Sequence, residues 1–137
     1  MEEIFHKKIL KTHIYVWKMT LSYEDQIKNP LLNSAELISA KELKNEKRKK
    51  EFLSSRIALK KIFNKELDLK HQKSGKPFIK EAKHLSISHS SNFLALAYGD
   101  ENIGIDIEKP QNRMIKLMPK ILSEIEFIEF KKQPSID

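Results

Sequence analysis

Apolar residues in this chain recur with two different spacings, and each spacing predicts its own kind of element. Ile14-Tyr15-Val16-Trp17 is a compact β-prone run and predicts the first strand. Asn29-Pro30 then interrupts the chain, because proline pushes its predecessor out of helical geometry. From about Ala40 to Phe63 the spacing is helical. Phe52, Leu59 and Phe63 fall on one line, and Leu53, Ile57 and Ile62 widen the buried face. Ser39 with Glu42 has the spacing of a capping box and is expected to start this helix. Arg48 and Arg56 flank Phe52 near the apolar line, whereas Lys47, Lys50 and Lys61 point the other way. The arginines have two readings: stems lying over the core with the guanidinium groups in water, or a phosphate clamp.

Beyond the turn Lys73 to Pro77 the period shortens to two. Phe78-Ile79, His84 to His89 and Phe93 to Tyr98 predict short strands, with Ser90-Ser91-Asn92 as a hairpin turn. Gly99 to Asn102 turns the chain again into Ile103 to Ile107. The expected fold class is α+β, an antiparallel meander packed on a long helix. After Pro110 the pattern is helical once more, with Met114, Leu117, Met118 and Ile121 on one face and Pro119 kinking or ending it. Ser123 with Glu126 has the spacing of a second capping box, ahead of a helix through Ile125, Ile128 and Phe130.

The 137 residues suit one compact domain, and 39% hydrophobic with 33% charged residues excludes a disordered chain. Cysteine is absent, which excludes disulfides, thiolate zinc sites and a cysteine nucleophile, and fits a reducing cytoplasm. No apolar run reaches the roughly 20 residues of a membrane span. Met1 to Lys11 has no apolar signal region, so the expected location is cytoplasmic, with no membrane partner. A formal charge of +7 favours anionic partners, but the lysines are spread along the chain as on an ordinary solvated surface.

Chemistry concentrates in three strings: Gly75-Lys76-Pro77, Ser86-Ile87-Ser88-His89-Ser90 and Gly104-Ile105-Asp106-Ile107-Glu108. In the third, alternation puts Ile103, Ile105 and Ile107 on one face and Gly104, Asp106 and Glu108 on the other. Two neighbouring carboxylates suit Mg²⁺, which takes hard oxygen ligands at ~2.0–2.1 Å and keeps places for phosphate oxygens and waters. The plainer alternative is a solvent-facing strand edge, where acidic residues are ordinary. His89 either meets a phosphate oxygen or caps a turn, and Lys76 sits where glycine permits close backbone approach. No P-loop, Rossmann glycine pattern, H-E-x-x-H or nucleophile elbow is present.

In this order and spacing the three strings resemble the 4'-phosphopantetheinyl transferases of the surfactin-synthetase-activating type. The family's marks are a Gly-Lys-Pro turn, a Ser-His pair after a short strand, and a G-[IV]-D-[IV]-E strand. Glu51-Phe52-Leu53-Ser54-Ser55-Arg56 is similar to the family's helix, where small residues more often precede the arginine. The resemblance spans roughly Leu43 to Phe130. It implies Mg²⁺-dependent transfer of the phosphopantetheine arm of coenzyme A to a serine of an acyl or peptidyl carrier protein. On that reading Asp106 and Glu108 hold Mg²⁺ and, with His89, form the catalytic set. Lys76, Ser88 and His89 contact the phosphates of coenzyme A, and Arg48 meets its nucleotide end.

The resemblance also implies a fold of two similar α+β halves, with residues 1–100 as the first half and 101–137 opening the second. The family's later Trp-Lys-Glu-x-x-x-Lys motif, whose glutamate is a metal ligand, has no counterpart in these residues; Trp17-Lys18-Met19 lies in the first expected strand. A lone half exposes apolar surface, so a homo-oligomer is one expectation. An inactive module that binds coenzyme A or carrier protein is the alternative within this reading. A basic nucleic-acid binder is a third, disfavoured because Asp106 and Glu108 repel phosphates unless a metal intervenes.

Overall fold

A four-stranded antiparallel sheet with one long helix across a face dominates the computed structural model, which describes residues 1–108. The elements are β1 (Glu2–Ile9), β2 (Thr12–Lys18), α1 (Tyr23–Gln26), α2 (Ser34–Lys41), α3 (Glu46–Phe63), β3 (Lys70–His71), β4 (Pro77–Phe78), β5 (His84–Ser90) and β6 (Phe93–Gly99). The sheet order is β1-β2-β6-β5, and β3 with β4 forms a separate two-stranded ribbon. The architecture is therefore α+β. No helix among the described residues is long and apolar enough to cross a membrane.

Alternation along the strands builds two cores. Tyr15, Trp17, Leu85, Leu94 and Leu96 face α3 and pack with its Ala58 and Leu59. Each leucine buried there stabilises the fold by about 1.5–3 kcal/mol relative to exposure. On the opposite face lie Ile14, Val16, Ala95 and Ala97, covered by Ile103 and Ile105 from the segment after β6. The β5–β6 hairpin forms as the sequence predicts, with Ser90 opposite Phe93 and Ser91 in the left-handed region at φ 51°.

Several expectations are corrected. The run at Ile14 is the second strand, not the first, because the charged segment Glu2–Ile9 pairs with it as an edge. The single helix from Ala40 is two helices. Asn33 and Glu36 form the reciprocal box that starts α2, each backbone N–H donating to the other's side chain at 2.9 Å. Asn45 caps α3, accepting from the Arg48 N–H at 2.8 Å. Ser39 and Glu42 lie instead in the last turn and at the C-cap of α2. The expected strand Phe78-Ile79 is short and pairs with β3, so the chain does not run as one meander. Among the described residues the segment from Ile103 forms no ladder. The expected helices beyond Pro110, with Pro119 and the Ser123–Glu126 pair, lie outside the described residues.

Candidate functional site

Among the described residues β5 is an edge strand, and its serines take the place of a neighbouring strand's carbonyls. The Ile105 N–H donates to Ser86 Oγ at 3.0 Å, and the Ile107 N–H donates to Ser88 Oγ at 3.1 Å. Ser86 and Ser88 sit opposite Ala97 and Ala95, so small side chains on both strands let the extended segment lie close over the sheet. Ser88 Oγ also donates to Asp106 Oδ1 at 3.0 Å. The expected alternation holds here: Ile103 and Ile105 are buried, while Gly104, Asp106 and Glu108 are exposed. Ahead of them, Lys76 Nζ donates to Asn102 Oδ1 at 3.4 Å. Lys76, Ser86, Asn102 and Gly104 share the lining of one hollow of about 380 Å³.

Strand alternation sends His89 to the other face. It shares the α3 side with Leu85, while Ser88 shares the Asp106 side. Burial pulls the His89 imidazole below its ordinary range; the Glu51 carboxylate and backbone act against this, and the Arg48 charge reinforces it. Its Nε2 is buried without a hydrogen-bond partner among the described residues. Arg48 itself is exposed in the first turn of α3. Ser88 and Asp106 thus meet on one face of the β5 edge, and His89 lies on the other face within reach of the charges of Arg48 and Glu51.

Arg56 belongs elsewhere. It is only 7% exposed, its Nη1 donates to the Phe52 carbonyl at 3.1 Å, and its guanidinium lies 3.4 Å from the Phe52 ring centre. Burial lowers it to about 10, against the pull of Glu36 and Asp68. It lines a cleft of about 600 Å³ that shares no residue with the hollow beside Lys76. The stem-over-core reading understates its burial.

Sequence reasoning placed Ser86 in a chemistry-bearing string without giving it a role, and it missed Asn102 and Lys60. Lys60 is almost wholly buried, pairs with Glu36 and with Glu66 at 2.7 Å, and donates to the Leu31 carbonyl at 2.9 Å. Its place one turn beyond Arg56 on the same helix line was the available signal.

Asp106 and Glu108 fit a hard divalent cation by donor type and by their shared side of an anchored backbone. Among the described residues no group of three or more acidic, histidine or cysteine side chains forms a cage. Two carboxylates are what an ion keeping waters and phosphate oxygens needs. Compared with known proteins, the chain matches no protein-family model and no curated protein.

Proposed function

We propose that the chain forms the coenzyme A site of a Mg²⁺-dependent 4'-phosphopantetheinyl transferase acting on an acyl or peptidyl carrier protein. The sheet with α3 on one face would be the first of the family's two halves. The observation that carries the reading is the 3.0 Å contact of Ser88 with Asp106, which joins the Ser-His string to the acidic string. Lys76 of the Gly-Lys-Pro turn reaches the same segment through Asn102.

In the reaction, the carrier serine oxygen bonds to the β-phosphorus of coenzyme A. The bond from that phosphorus to the bridging oxygen breaks, 3',5'-adenosine bisphosphate leaves with the electron pair, and the serine proton passes to a base. Mg²⁺ held by Asp106 and Glu108 would neutralise charge growing on the pyrophosphate. Ser88 fixes the Asp106 carboxylate, and the Ser86 and Ser88 hydroxyls fix the backbone that presents both carboxylates. Lys76 supplies positive charge at the rim of the same hollow. On this reading His89, which lies on the α3 side of β5, would contact a phosphate of coenzyme A, and Arg48 would meet its nucleotide end.

The test mixes the protein with coenzyme A, Mg²⁺ and an apo carrier protein and follows intact mass. Addition of the arm, lost in Asp106→Ala, is the expected result. Coenzyme A binding without labelling would support the binding-module reading, which the gathering of only two carboxylates among the described residues favours. Neither binding nor labelling would overturn both.

A further inference from the structure

The opposite edge of the sheet carries a second surface. β1 pairs with β2 alone, and among the described residues no strand pairs with its outer side. Such an edge is a row of donors and acceptors that another strand completes. It is tied to the sheet by side chains as well as by its ladder: His6 stacks on the Tyr15 ring at 3.8 Å between centres. Its charges are sorted by position, with Glu2 and Glu3 at one end and Lys7 and Lys8 at the other. Between them Ile4 is 45% exposed, and Leu10, just beyond the strand, is 75% exposed.

Lysines and a bulge, here between Glu3 and Phe5, ordinarily keep edges from pairing at random. Sorted charge changes their effect, because a parallel neighbour of the same sequence sets like against like. An antiparallel neighbour sets acid against base, and cross-strand opposite charges attract. We propose that β1 is the contact surface between two copies of this chain. The two strands run antiparallel about Phe5, so that the Glu2 and Glu3 end of each copy meets the Lys7 and Lys8 end of the other. The two sheets then continue into one, and Ile4 is covered. This does not depend on what the β5 edge binds.

Sedimentation equilibrium of the full chain over a ~100-fold concentration range tests it, since mass action drives dimerisation. The expected result is a mass rising from that of one copy towards that of two. Glu2→Lys with Glu3→Lys should stay monomeric throughout, with thermal unfolding like the parent's at concentrations where the parent is a single copy, and adding Lys7→Glu with Lys8→Glu should restore the dimer. Hydrogen exchange gives an independent reading: β1 amides become protected only at concentrations where the dimer forms. A parent protein that is monomeric throughout overturns the proposal, whether β1 amides exchange freely or are protected within the chain. So does a Glu2→Lys, Glu3→Lys protein that dimerises as well as the parent.

Discussion

Ser88 serves two partners at once, donating to Asp106 and accepting from the Ile107 N–H. Ser88→Ala leaves that amide unpaired beneath the extended segment and frees the carboxylate. We expect a loss of about 1–3 kcal/mol in urea unfolding, the usual cost of an orphaned donor. If Ser88 were only a surface hydroxyl, the variant would unfold like the parent. Lys60 is a harsher case, since Glu36 and the Leu31 carbonyl depend on it inside the protein. Lys60→Met keeps the stem but strands a largely buried carboxylate, and a loss of about 3–5 kcal/mol is expected. Glu66 is well exposed and contributes little to that figure. Lys60 was hard to read from sequence because lysine on a helix is nearly always a surface residue.

Among the elements, the β2–β6 pair depends on the absence of a side chain at one position. A Cβ at Gly99 would lie 2.7 Å from the Lys11 carbonyl oxygen and 3.1 Å from Thr12 Cα, both backbone atoms that cannot swing aside. Gly99→Ala should therefore cost about 1–3 kcal/mol in chemical denaturation. Gly104→Ala, with nothing within 4 Å of the added carbon, is the matched control and should unfold like the parent. The β5–β6 hairpin was legible because apolar alternation and a polar turn coincide in it. β1 was not, because an edge strand exposed on most positions shows charged residues where a buried strand shows apolar ones. The Ile103–Glu108 segment kept its alternation yet lacks a ladder, since serine hydroxyls satisfy its amides and period two does not reveal the acceptor. The split of the expected long helix came from two asparagine caps at Asn33 and Asn45 that outcompeted the Ser39 spacing.

For the whole molecule, acidity acts through imidazoles. His89, the half-buried His13 and the exposed His71 are all lowered from 6.5, in each case by desolvation first. Between the folded and unfolded values the unfolded chain binds more protons, so stability is full above the unfolded value and falls as pH drops through it. Thermal unfolding followed from about pH 7.5 to about pH 5 should show a falling midpoint, and His89→Gln should shrink that fall. An equal fall in parent and variant would assign the effect to the other histidines.

Much of the candidate site was written in local pattern. Side-chain alternation alone placed Asp106 and Glu108 together on the exposed side of their segment, because successive residues of an extended chain point opposite ways regardless of what lies beside them. The helical stripe through Leu53, Ile57 and Leu59, and the α+β class, follow from period in the same manner. Which strand borders which is another matter. That β6 sits centrally, that β5 and β1 are edges, and that Ser88 and His89 look onto opposite faces of one edge depend on pairings between residues far apart in sequence. Those pairings are chosen by the packing of the whole sheet against α3, and no window of the chain contains both partners.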